Sequence, residues 1–120
     1  MKSLALLNDL VFQDGNANAQ PILVDAHSRI IRFTLKPGQK VKEHQSPNSP
    51  LYIVVIEGKG FFTGGNGKAA EFGPNSLLIF DKAESHSIEA LDENLVFIAF
   101  LREFSKEIPE EQSGGLLGER

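Results

Sequence analysis

The sequence predicts an all-β domain, a sandwich or barrel of roughly eight short strands. Three observations predict it. Short apolar runs rich in Val, Ile, Leu and Phe recur along the chain. Clusters of Gly, Pro, Asn and Asp separate them, and no helical periodicity precedes residue 102.

Residues 1–12 (MKSLALLNDLVF) form a short N-terminal element, helical or extended, with Leu and Val side chains suited to packing across a subunit interface. Asp14 to Gln20 reads as a loop from its Gly and Asn content. A short strand, Ile22 to Val24, leads to a turn at 25–28 where Asp25 and Ser28 can bond local backbone. From Arg29 to Leu35 the residues alternate, with Ile31, Phe33 and Leu35 on one face and Ile30, Arg32 and Thr34 on the other. That period of two predicts a half-buried strand.

After Pro37-Gly38 the chain runs through Val41 to His44, then a polar loop from Gln45 to Pro50. Leu51 to Ile56 is rich in the β-branched residues that pleated sheets favour, and Glu57-Gly58 stops it. Gly58 and Gly60 permit a tight bend before Phe61-Phe62-Thr63. GGNGK at 64–68 is the clearest hairpin signal, and Ala69 to Phe72 returns antiparallel. Gly73-Pro74 precedes a strand from Leu77 to Phe80, a bend from Asp81 to Ser85 and a strand from His86 to Leu91. An acidic turn at 92–94 and a strand from Leu95 to Leu101 complete the series. This divides the chain into an extension at 1–27, a barrel at 28–101 and a tail at 102–120. Within the tail, Glu103 to Ile108 can form one or two helical turns that Pro109 ends, and Leu116-Leu117 either stays solvated or docks on a neighbouring subunit.

Composition bounds the function. A chain of 120 residues can bury a single core without metal or disulfide staples, and it has no cysteine for thiolate chemistry. The net charge of −4 gives no attraction to nucleic acid or anionic lipid. Leu4 to Leu7 is too short for a signal segment, and no apolar run approaches membrane-spanning length. The expectation is a soluble cytoplasmic protein with no nucleic-acid or membrane partner.

Two histidines at turn–strand junctions, His44 and His86, are the obvious chemistry, and around them the chain resembles a small single-domain cupin of the conserved-barrel type. That family's first motif joins a Gly to a His-x-His pair, a Glu and a closing Gly. Gly38, His44 and Gly58 stand at the matching spacing, with Ser46 at the second His and Leu51 where the Glu belongs. The second motif joins a Gly to Pro-x-Gly, a His and an Asn. Here Asn75, then Asp81 and Ala83, then His86, then Ala90 take those places.

The resemblance spans residues 28–101 and implies a double-stranded β-helix, the jelly-roll barrel of the cupins. It also implies one divalent metal (Fe, Mn, Ni or Zn), yet only His44 and His86 survive of the four ligands. Catalytic metal sites usually need three protein ligands, and Leu51 puts a methyl group where a carboxylate should be. Strand alternation sets Glu43 and Gln45 opposite His44, while Asp81 or Glu84, in the bend before His86, could swing in.

Three readings follow. The first is a small-molecule-binding cupin whose ligand enters the barrel mouth near His44, Ser46, Leu51, Phe62, Phe80 and His86. The second is a metal-dependent oxygenase or isomerase with a reduced set of His44, His86 and an unidentified carboxylate. The third is a structural or regulatory dimer whose barrel is packed by Phe and Leu. Small cupins are commonly homodimers joined through N-terminal strands, and the apolar start of this chain is compatible with that. A metal-free epimerase would use a His base and a Tyr acid, but Tyr52, beside Leu51, should point away from the barrel axis. His27 reads as a solvated turn residue. GGNGK lacks the spacing and following helix of a phosphate loop.

Overall fold

The structure, a computed structural model, describes residues 1–102. The expected helical turns at 103–108 and the Leu116-Leu117 pair lie outside the described residues, as does the side chain of His44.

The described residues form nine strands. They are β1 (Asn18–Val24), β2 (Ser28–Leu35), β3 (Lys40–His44), β4 (Leu51–Glu57), β5 (Gly60–Thr63), β6 (Ala69–Phe72), β7 (Leu77–Phe80), β8 (His86–Ala90) and β9 (Leu95–Arg102). Two antiparallel sheets face each other, one ordered β1-β2-β9-β4-β7 and the other β3-β8-β5-β6. Non-consecutive neighbours in both sheets make the crossed connectivity of a jelly roll, and the all-β expectation holds.

The core lies between the sheets because alternate residues of each strand turn inward. Leu51, Ile53 and Val55 of β4, His86, Ile88 and Ala90 of β8, and Phe97, Ala99 and Leu101 of β9 are buried there. Phe97 stacks on Phe33 with centroids 4.9 Å apart and meets Phe62 edge-on at 5.9 Å; Phe62 in turn meets Phe72 at 6.0 Å. Aromatic pairs in these geometries add to the apolar area they bury.

Two expectations need correcting. The first strand starts at Asn18, not Ile22, because the β1–β2 ladder continues through Asn18↔Thr34 with a register shift between Pro21 and Leu23. Pro21 is tolerated since β1 is an edge strand. β2 is also not half-buried: Arg32 and Thr34 on its outward face are each only 2% exposed. The cause is residues 1–12, an extended strap with one turn (Asn8 N–H to the Ala5 carbonyl, 3.1 Å) laid across the outer face.

Arg32 anchors the strap. Its guanidinium donates to the carbonyls of Leu6 (2.9 Å), Asn8 (3.0 Å) and Asp9 (3.4 Å) and to the side-chain oxygen of Gln20, while Thr34 donates to the Val11 carbonyl. A planar fork of five donors suits several carbonyls at once in a way an ammonium does not. Beneath the strap, Val96 and Ile98 of β9, in register with Thr34 and Arg32, are buried on their outward side as well.

Turn chemistry holds the strands in place. Four positions aligned with the motif glycines take left-handed backbone: Gly38 (φ 79°), Gly58 (79°), Asn75 (71°) and Ala83 (66°). At Gly58 the close approach is as important as the angle, because a Cβ there would lie 1.9 Å from the Asn94 carbonyl oxygen.

Candidate functional site

The candidate site builds from the start of β8. His86 is 1% exposed, and its ring lies tilted against Phe80 with centroids 5.1 Å apart. Its Nδ1 is 3.2 Å from the Glu84 carbonyl oxygen. A carbonyl oxygen only accepts, so Nδ1 carries the proton in this contact and a neutral ring keeps its lone pair on Nε2.

Sheet register gathers the other residues. Leu51 pairs across the ladder with Phe80 of β7 and Leu101 of β9, and all three belong to the core. Leu51, Phe80 and His86 are therefore brought together at one end of the barrel. The backbone of His44, the last residue of β3, stands directly opposite His86 after a register shift that follows Val41. Phe62 is not at this end. It pairs with Ile88, two residues along β8, and belongs to the aromatic group around Phe97.

Loop 45–50 closes over this end. The Ser46 carbonyl accepts the Ala83 N–H (3.0 Å), and Gln45 Nε2 donates to Ser85 Oγ (3.1 Å). Ser49, 2% exposed, accepts the Arg102 N–H on its hydroxyl (2.9 Å). Sequence reasoning missed Gln45 and Ser49. Their only signal was the SPNSP composition of a turn, which does not say what the turn will touch.

Glu84 has a different role from the one a metal site would need. Its carboxylate accepts the N–H of Gly65 (2.7 Å) and the N–H of Asp81 (2.8 Å), clipping the β5–β6 hairpin to the bend before His86. The Gly65 N–H first and the Asp81 N–H second hold this carboxyl below the ordinary Glu value of 4.5, against a smaller effect of burial that raises it. Both neighbouring glycines serve the clip, since a Cβ at Gly64 would come within 2.7 Å of Glu84 Oε2.

A depressed carboxyl stabilises the folded state above its unfolded pKa and stops doing so as pH falls through its folded pKa. The Gly65 and Asp81 amide resonances are therefore expected to titrate together, with a midpoint below 4.5. In Glu84→Gln both titrations should vanish. A shared midpoint at or above the ordinary Glu value, measured by NMR, would show that the clip is not closed in solution.

Two remaining candidates lie elsewhere. The Tyr52 hydroxyl accepts from Arg102 Nε (3.1 Å) and its ring lies under that guanidinium at 5.8 Å, so the residue faces away from the barrel interior as its alternation with Leu51 predicts. A Tyr acid for epimerase chemistry is thus not at this site. His27 is exposed in a turn where Asp25 Oδ1 accepts the His27 N–H, the Ser28 N–H (both 2.9 Å) and the Ser28 hydroxyl (3.0 Å). Those donors, the His27 N–H first, lower the Asp25 pKa.

A resident divalent ion does not fit the described residues. No group of three or more His, Cys, Asp or Glu among them could hold a metal. Leu51 offers a buried isobutyl group, and Glu84 is engaged by backbone.

Comparison with known proteins agrees with this architecture. The cupin domain family matches residues 31–100. A conserved protein with a double-stranded β-helix domain from Klebsiella pneumoniae superposes with a TM-score of 0.80 at 17% identity, over 88% of this chain and 92% of the other. An RmlC-like cupin protein from Desulfovibrio desulfuricans gives 0.75 at 26% identity, over 84% and 96%. The TT1209 protein from Thermus thermophilus gives 0.80 at 15% identity, over 86% and 98%. No curated protein matches the chain.

Proposed function

Because this chain belongs to the cupin family, we propose that it is a small-molecule-binding barrel whose ligand sits at the His86 end, under loop 45–50. One observation carries the reading. An imidazole 1% exposed ends an otherwise apolar core, beside Leu51 and Phe80. A titratable ring in that position adds nothing to packing that Leu would not, and taking it out of water has a cost that packing alone does not explain. Such groups cluster at functional sites. Leu51 and Phe80 would supply the apolar walls, with His86 and the backbone of loop 45–50 orienting the ligand's polar atoms. Ser46 and His44 belong to the same proposal by their places in the loop and in the β3–β8 register.

A second reading is supported by a specific observation. Leu51, Phe62 and Phe80 are all buried in the core cluster, which suits a barrel filled by its own side chains and serving a structural or regulatory role. The metalloenzyme reading has less support, because it needs a carboxylate donor that neither Leu51 nor Glu84 supplies. No helix of the described residues is long and apolar enough to cross a membrane. A cytoplasmic location for a cysteine-free chain is part of the proposal.

A thermal-shift panel of small carboxylic acids, sugars and aromatic compounds tests it. At least one class is expected to raise the melting temperature by mass action, about 2.7 kcal/mol of stabilisation at a hundredfold excess over Kd. Leu51→Phe, which enlarges the apolar wall, should abolish that shift. Elemental analysis of protein purified without a His-tag should find far less than one equivalent of iron, manganese, nickel or zinc. No shift with any class would leave the packed barrel standing, and a full equivalent of metal would revive the metalloenzyme.

A further inference from the structure

His86, Leu51 and Phe80 are all buried, so a ligand reaches the imidazole only if one of the surrounding elements moves. Those elements differ in what their movement disrupts. β4 is bonded on both sides, to β7 and to β9, and its inward side chains belong to the core. Displacing β4, or β7 with Phe80, breaks a ladder and returns apolar surface to water. β8 likewise lies between β3 and β5. The bend at 81–85 is tied to the β5–β6 hairpin, because the Glu84 carboxylate takes the Gly65 and Asp81 N–H groups together.

Loop 45–50 differs from all of these. Its residues, QSPNSP, include no large apolar side chain to anchor it. Gln45, Pro47 and Asn48 are exposed, and Ser46 is half-buried. The bonds that hold it against the bend are the Ala83 N–H to the Ser46 carbonyl (3.0 Å) and Gln45 Nε2 to Ser85 Oγ (3.1 Å). Water can replace both when they break, so neither holds strongly. Segments with surface hydrogen bonds and few apolar contacts are the first to open locally.

Both ends of the loop suit a hinge. Ser49 is a pinned point: it is buried, its hydroxyl accepts the Arg102 N–H and donates to the Pro50 carbonyl. At the other end β3 is an edge strand, and its ladder with β8 shifts register after Val41. The end of β3 can therefore give without disturbing an interior strand.

We propose that residues 45–48 are a lid, hinged at Ser49 and at the end of β3, that swings off the bend at 81–85 to open the His86 end. Closure is made by the Ser46–Ala83 and Gln45–Ser85 bonds, and Glu84 keeps the bend a fixed catch rather than a part that moves with the lid. Admission of a ligand by this route rests on the reading of this end as a binding site, whereas the motion belongs to the chain alone. Lids of this kind exclude water once a ligand is seated.

Amide exchange on the full chain, followed by NMR, tests the motion without any ligand. The Ala83 amide is expected to exchange about a hundredfold faster than the core amides of β4. Gln45→Ala should speed it about fivefold further, the effect of one surface hydrogen bond. The Gly65 and Asp81 amides, held by Glu84, should not change in that variant. A second measurement locks the lid. The chain has no cysteine of its own, and Gln45 and Ser85 directly follow the opposed pair His44 and His86, which puts them within disulfide reach. In oxidised Gln45→Cys/Ser85→Cys protein, deuterium exchange at the His86 ring carbon between the two nitrogens should slow about tenfold and recover on reduction. Exposed His27 is the internal control and should be indifferent to the lock.

An Ala83 amide as protected as those of β4 would overturn the lid. So would Asp81 exchange that rises with Ala83 in Gln45→Ala, since the bend would then be moving too, or His86 exchange that ignores the disulfide. A lid that passes these measurements, in a protein whose melting temperature no compound raises, would sink the binding reading and leave the lid standing.

Discussion

Leu51→Glu is expected to destabilise the protein by about 4 kcal/mol at neutral pH, from lost apolar burial and an unpaired carboxyl in the core. The substitution restores the residue type that the cupin motif places there, so it asks whether the position still faces the barrel interior. Leu51 packs between Phe80 and Leu101 by register, neither of whose side chains offers a hydrogen bond, and the Nδ1 of nearby His86 already faces the Glu84 carbonyl. A carboxyl there meets a low-dielectric surround that raises its pKa above the unfolded value. The sign of the pH dependence follows. A raised carboxyl keeps its share of stability at low pH and loses it as pH rises through the folded pKa. Urea unfolding at pH 7 and pH 5 should therefore show a smaller deficit at pH 5. A variant as stable as the parent at both pH values would mean that position 51 reaches water.

Gly58→Ala should be nearly as damaging, for a different reason. The added Cβ meets only backbone: the Asn94 oxygen at 1.9 Å, the Asn94 carbon at 2.9 Å and the Leu95 Cα at 3.1 Å. No side chain can rotate away to relieve this, so the end of β4 and the β8–β9 turn must separate, and Leu95 leaves the core with them. Overlap of this kind, added to the left-handed penalty of about 1–2 kcal/mol, puts the expected loss at about 3 kcal/mol or more. In a domain of this size that lowers the melting temperature by roughly 10 °C or more. Gly38→Ala is the control. Its φ is also 79°, but nothing lies within 4 Å of its Cβ, so it should show the backbone penalty alone. Equal losses at the two sites would mean the Gly58 contact yields cheaply.

Much of this was legible because it is local. Hydrophobic period and turn residues located nearly every strand, and the motif glycines were found even where the residue differs. Asn75 and Ala83 stand at family glycine positions and adopt the backbone a glycine would take, φ 71° and 66°. The fold-making half of the cupin pattern has thus been kept while the ligand half, at Ser46 and Leu51, has changed. Alternation along β4 likewise sent Leu51 inward and Tyr52 outward from sequence alone.

The tertiary structure decided what depends on residues far apart in the chain. Arg32 reads as the solvated side of a strand until residues 6–9 are seen to close over it and supply neutral oxygens. Glu84 reads as a spare carboxylate until Gly65, nineteen residues away, takes one of its oxygens. Leu77 and Ile79 read only as part of a short apolar strand until β7 proves to be an edge with one face uncovered. The sequence determined which segments are strands and where they turn, because those follow from each residue's own backbone and burial preferences. Which face of a strand meets water, and which donors reach a charge, were decided by sheet order, and no local pattern encodes that.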